Sequence, residues 1–147
     1  MVSNVMVNEV STEKSKLYTL QLSSKLESIV QLESFIDRIS AEYNISDENY
    51  GNIMTTVNEA TMNAIVHGNK NDESKKVYIN LEVQNNHKLI FTIADEGEGF
   101  DFRAVADPTL PENLEKDCGR GIFIMKHLAD QLVYNDSGTQ VEIQFNI

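Results

Sequence analysis

Two neighbouring strand-like runs, the first of them strictly alternating, constrain this chain most. In Val77-Tyr78-Ile79-Asn80-Leu81-Glu82-Val83 every second residue is aliphatic, and Lys88-Leu89-Ile90-Phe91-Thr92-Ile93-Ala94 follows after Asn85-Asn86-His87. Successive side chains of a strand point to opposite faces, so each run predicts a strand with one face buried. The short Asn-rich break predicts a hairpin between them. Such a hairpin is stable only if other elements cover its apolar face, and the remainder of the chain supplies the cover.

Leu17 to Leu22 alternates in the same way and predicts another strand. Leu132-Val133-Tyr134 and Gln140 to Phe145 predict a closing hairpin through Asp136-Ser137-Gly138-Thr139. A first helix is expected from about Lys25 to Glu42, capped by Ser23-Ser24 and ended by Asn44, because Leu26, Ile29, Val30, Leu32, Phe35, Ile36 and Ile39 recur at helical spacing. A second is expected from Ser46 to Val66, stopping at His67-Gly68-Asn69 with Gly68 as a left-handed cap. The third opens at Gly119-Arg120-Gly121, with Ile122, Ile124 or Met125, and Leu128 on its apolar side. The order is β, α, α, β, β, a long loop, α, β, β. Short turns between neighbouring strands predict an α/β (α+β) two-layer sandwich, a mostly antiparallel mixed sheet covered on one face by three helices.

A chain of 147 residues suits a single domain over 1–147, with residues 1–14 a loose segment or an edge strand. The balance of 12 basic and 23 acidic residues, −11 in all, argues against nucleic acid and against anionic membranes. No signal peptide and no apolar run near the roughly 20 residues of a membrane span is seen, and the lone Cys118 suits a reducing cytoplasm. A nucleotide would need a local device here, either backbone N–H groups at a helix start or a divalent cation.

Three features bear on chemistry. On the second helix Glu59, Asn63 and His67 fall at i, i+4, i+8, and Asn52 and Thr56 extend the stripe, while Ile53, Val57, Ala60 and Ala64 lie opposite. The stripe is either a binding wall or a polar surface. Asn63 is a hard-oxygen partner for Mg²⁺ and Glu59 a candidate general base. His67 is expected to hydrogen-bond at the helix end rather than to catalyse. Asp95, at a strand's end before Gly97 and Gly99, can accept hydrogen bonds from an exocyclic amine, although the same pattern describes an ordinary loop. Gly119 and Gly121 at a helix start let backbone N–H groups approach an anion. No Gly-Lys-Ser/Thr follows, so this is not a P-loop.

In this order, Asn58 to Gly68, Asp95 to Gly99, Gly119 to Gly121 and Gly138-Thr139 resemble the four nucleotide-binding boxes of the histidine-kinase-like (GHKL) ATPases. The wording Asn-Glu-Ala-x-x-Asn-Ala-x-x-His-Gly and the small size resemble the bacterial anti-sigma factor serine/threonine-protein kinases. The resemblance covers residues 15 to 147 and implies ATP and Mg²⁺ as cofactors. It makes Asn63 the Mg²⁺ residue, Glu59 the catalytic base, and Asp95 the acceptor for the adenine amine with Thr139 in support. Gly97 and Gly99 become the hinge of an ATP lid over 100–118, and Gly119, Arg120 and Gly121 the phosphate-binding turn. A base from the lid's end, Lys116 or Arg120, would reach the γ-phosphate. The implied partners are an anti-anti-sigma protein as substrate, a sigma factor held by a homodimer, and neither nucleic acid nor membrane. A nucleotide-gated binding regulator without kinase activity is the alternative.

Overall fold

A computed structural model describes the backbone of residues 8–11, 14–99 and 117–147. The elements are β1 (Asn8–Ser11), β2 (Ser15–Ser23), a 3-10 turn (Leu26–Ser28), α1 (Ile29–Glu42), α2 (Asp47–Asn63), a π-turn (Ala64–Gly68), β3 (Lys76–Gln84), β4 (Lys88–Ala94), α3 (Asp117–Leu128), β5 (Gln131–Tyr134) and β6 (Gln140–Asn146). The strands form one sheet in the order β1-β2-β3-β4-β6-β5. Every described pairing is antiparallel. The N-terminal segment contributes the edge strand β1, one of its two expected forms.

Alternation sets the register and the core together. Leu20, Ile79, Ile93 and Val141 lie opposite one another in one row across four strands, and Tyr18, Leu81, Phe91 and Ile143 in the next. All are buried, beneath Leu32, Phe35, Ile36 and Ile39 of α1, Ile53, Val57 and Ala60 of α2, and Ile122 and Met125 of α3. Burial of a side chain of this size stabilises by about 1.5–3 kcal/mol relative to exposure, so these rows dominate the fold. Between β3 and β4, Asn85 and Asn86 have φ of 52° and 60°, and the His87 amide donates to the Gln84 carbonyl at 3.0 Å. That is the mirror-image turn whose twist matches a hairpin.

Helix ends follow local chemistry in some places and distant contacts in others. Ser46 Oγ accepts from the Asn49 amide at 3.2 Å and caps α2. Past α1, Asn44 is left-handed at φ 51°, and the amides of Ile45 and Asn44 return to the carbonyls of Ser40 and Ala41 at 3.0 and 3.4 Å. Both bonds close that helix as a left-handed cap requires. Ser23 and Ser24, however, do not cap α1. Their hydroxyls donate to the carbonyls of Glu73 at 3.1 Å and Lys75 at 2.7 Å, and α1 begins only after the 3-10 turn. Nor is Gly68 the left-handed cap of α2; Lys70 and Asn71 hold that geometry at φ 54° and 58°. The helix instead widens into the π-turn, closed by the Asn69 amide on the Ala64 carbonyl at 2.8 Å. α3 starts at Asp117, ahead of the glycine pair expected to open it. The expected lid lies outside the described residues up to that point.

Candidate functional site

The inward rows of β4 explain where Asp95 goes. Leu89, Phe91 and Ile93 face the helices, and Asp95, two residues beyond Ile93, continues on the same side. A carboxylate is thereby pushed into the gap between sheet and helices. Loss of water raises its pKa, opposed by the Gly97 amide, which donates to Oδ1 at 2.8 Å, and by the charge of Lys75. Its own amide donates to the Thr139 carbonyl at 3.0 Å, joining β4's end to the start of β6.

Around Asp95 two stretches far apart in sequence come into contact. A Cβ at Gly68 would run into the Asp95 carboxylate, and one at Gly97 into the Gly68 carbonyl. Glycine is needed at 68 for close approach, not for a left-handed turn. Gly99 is left-handed at φ 84°, and a Cβ there would collide with the Ser137 carbonyl. Gly97 and Gly99, expected as the lid's hinge, are both points of close backbone approach, and Gly99 also lines the site.

The result is a cavity of about 250 Å³ between α2 with its π-turn, the end of β4 and the β5–β6 turn. Ala60, Ala64, Ile93 and Val141 give it apolar walls, and Asn63, Asp95 and Thr139 its polar groups. An apolar slot with a few convergent polar atoms is the usual form of a site for a flat ring. Thr139 is held by Asn135, whose Oδ1 accepts from the Thr139 amide at 3.0 Å and whose Nδ2 donates to Thr139 Oγ1 at 3.1 Å. His67 is exposed at the rim.

Glu59 lies one helical turn before Asn63 and half-buried, with its carboxylate against Gly121 of α3, where a Cβ would strike Oε1. Gly119 falls in the first turn of α3, whose N–H groups lack partners within the helix; Gly121 lies beyond that turn. Asn52 and Thr56 do not extend the stripe into the cavity. Thr56 is wholly buried, with no hydrogen-bond partner for its hydroxyl among the described residues; α1 and α3 flank α2 and leave its C-terminal part to line the cavity. Lys116 and the side chain of Arg120 lie outside the described residues.

Sequence reasoning missed Tyr134. It ends β5 opposite Val141 and lines the cavity, and its hydroxyl pKa is pushed up to about 12 by burial first and then by the charges of Glu59 and Asp95. The usable signal was its register on β6, since Val141 is a core position. The site's own charge is therefore negative, and a polyphosphate entering it needs a counter-charge. Among the described residues no group of three or more His, Cys, Asp or Glu could hold a metal. A cation here would rest on the Asn63 amide oxygen together with water and the ligand's own oxygens, an arrangement that suits Mg²⁺.

Residues 22–145 match the family model of the histidine kinase-like ATPase domain, and the chain belongs to that family. Membership implies ATP binding. Among individual relatives, the anti-sigma F factor of Anoxybacillus flavithermus is 39% identical over 98 residues, 62% of this chain and 65% of that protein. That of Bacillus subtilis (strain 168) is 37% identical over the same shares. The chain thus spans just under two thirds of the length of these relatives. Solved structures share the fold: the RsbU and RsbW domains of a Mycobacterium tuberculosis protein superpose with TM-score 0.60 at 11% identity, covering 87% of this chain and 31% of that one. The histidine kinase domain of an Erythrobacter litoralis blue-light activated kinase gives 0.50 at 20% identity, covering 82% and 59%. Among the described residues no helix is long and apolar enough to cross a membrane.

Proposed function

We propose that this chain is a cytoplasmic anti-sigma factor that binds ATP and phosphorylates a serine or threonine of an anti-anti-sigma protein, and that as a homodimer it sequesters a sigma factor. The observation that supports this reading best is the meeting of Asn63, Asp95 and Thr139 around one apolar slot with Glu59 a helical turn away. The names of its relatives supply the regulatory half.

In this reading the adenine ring lies between Ala60, Ala64, Ile93 and Val141, and its exocyclic amine donates to Asp95. Thr139 supports the base edge directly or through water. Asn63 would hold Mg²⁺, which neutralises triphosphate charge when bound. The first-turn amides of α3, including Gly119, face the phosphates, with Arg120 or Lys116 as the basic group at the γ-phosphate. Glu59 takes the proton of the partner's hydroxyl as its oxygen bonds to the γ-phosphorus and the bond to ADP breaks. Closure of the 100–118 lid excludes water, so that the hydroxyl rather than water is the acceptor.

Incubation with labelled Mg-ATP and the anti-anti-sigma protein of its own genome should yield phosphoserine or phosphothreonine. Glu59→Gln should lower transfer by about a hundredfold or more, with ATP still bound. Undiminished transfer by that variant would remove Glu59 as the base. Tight ATP binding with no transfer by the unaltered chain would leave a nucleotide-gated regulator without kinase activity.

A further inference from the structure

We infer that Asn69 is the positioning residue that sets the Asp95 loop for recognition of the nucleobase, an inference that rests on the ATP-cleft reading above. Asn69 is 1% exposed, yet every polar group of its side chain is used. Its Nδ2 donates to Ser24 Oγ at 2.8 Å and to the Lys76 carbonyl at 3.0 Å, and its Oδ1 accepts from the Glu96 amide at 2.8 Å. Its backbone amide closes the π-turn that brings Gly68 under Asp95. One side chain therefore fastens the end of the cavity-lining helix, the approach to α1, the start of β3 and the loop beside the base-binding carboxylate.

The Glu96 bond gives this arrangement its consequence for the base. Three successive amides hold the loop: that of Asp95 on the Thr139 carbonyl, that of Glu96 on Asn69 Oδ1, and that of Gly97 on Asp95 Oδ1. The first and third fix the ends of the turn. Only the middle one ties it to the helix side of the cavity. Without it, the Glu96 N–H loses its side-chain acceptor, and the peptide is free to rotate toward water or another acceptor. The neighbouring peptide carries the Asp95 carboxylate with it. An amide is needed at 69 because two donors and one acceptor are all engaged; aspartate would set a charge against two oxygen acceptors, and serine is too short to span them.

An adenine amine donates to Asp95, whereas the carbonyl oxygen of hypoxanthine at the same place meets like charge. The unaltered chain should therefore bind ATP in preference to inosine triphosphate, by roughly tenfold or more for a hydrogen bond to a charged group. Asn69→Ala should shrink that preference to about threefold or less. Its affinity for inorganic tripolyphosphate with Mg²⁺ should change by less than about twofold, because that probe has no base. Calorimetric titration of the three ligands reads all of this. Equal weakening of all three ligands, with the ATP preference intact, would mean that Asn69 only stabilises the fold and would overturn the inference. Should Asn69→Ala fail to fold, Ser24→Ala keeps Asn69 but removes one of its two acceptors; the preference should then narrow by about twofold, and an unchanged value overturns the inference too. The ATP-cleft reading has its own control. If the unaltered chain shows no preference, or Asp95→Asn leaves it untouched, the base assignment falls and takes the role of Asn69 with it.

Discussion

Gly51 and Gly68 share one helical stretch, yet the same added methyl should act oppositely at them. At Gly51, exposed inside α2, a Cβ meets nothing within 4 Å. Alanine there should stabilise the chain by up to about 1 kcal/mol, the difference in helix propensity. At Gly68 the methyl would enter the space of the Asp95 carboxylate. Gly68→Ala should cost about 1–3 kcal/mol of stability through overpacking. Because the yielding group is the proposed base acceptor, it should also weaken ATP binding by about tenfold. Chemical denaturation of both variants with ATP titration separates the two effects; a Gly68→Ala protein that binds ATP normally would show that Asp95 can turn aside without penalty. From the sequence alone both glycines look like helix punctuation. What distinguishes them is a carboxylate 27 residues further along, which no local window contains.

The edge strand β1 is held to α1 by charge. Lys16 on β2 reaches Glu9 of β1 at 2.5 Å and Glu42 of α1 at 2.7 Å, and Arg38 of α1 reaches Glu9 at 3.2 Å. The Lys16 ammonium, donating to Glu42, holds that carboxyl below the ordinary value of 4.5. Stability from a carboxylate with a lowered pKa is present above the unfolded value and is lost as pH falls through the folded one. Lys16 itself is raised, by Glu42 first and Glu9 second. Its share is complete below its ordinary value and disappears only as pH climbs through the higher one. The Lys16–Glu42 pair between β2 and α1 thus holds at neutral pH and weakens in acid, and the whole set, as surface pairs, weakens with salt. Hydrogen exchange should show β1 amides losing protection in about 1 M salt while β3 and β4 keep theirs, and Glu42→Gln should flatten the fall of stability in acid; uniform protection in salt would mean that backbone pairing alone holds β1. At this scale much of the chain was legible. Period-two runs gave β2, β3, β4 and β6 because each strand has one covered face, and the Asn85-Asn86 turn follows from φ preference. The caps at Ser23, Ser24 and Gly68 were misread because the partners of these residues, Glu73, Lys75 and Asp95, arrive only through tertiary contact. Thr56 misled for a related reason, since a helical wheel does not state which helices will flank α2.

For the molecule as a whole, a net charge of −11 opposes the capture of another polyanion. On the proposed reading, ATP binding is therefore a local achievement that depends on a cation proposed at Asn63. Mg-ATP at about a hundred times its dissociation constant should stabilise the fold by about 2.7 kcal/mol, a rise in Tm of roughly 5–10 °C for a chain of this length. Asn63→Ala should lose most of that rise at the same concentration while melting normally without nucleotide; an equal rise in the variant would detach Asn63 from the cation. The boxes were readable in the sequence as separate words, but their assembly was not. Asp95 enters the site through the inward face of β4, and Tyr134 joins it through a strand pairing at the sheet's far edge. The contact between Gly97 and the Gly68 carbonyl has one more consequence, for inheritance. No side chain can be admitted at Gly97 unless the backbone at 68 gives way, nor at Gly68 unless Asp95 does. A lineage can therefore gain a side chain at either glycine only with a compensating change at the neighbour it would strike, although the chain spells these positions in two distant places.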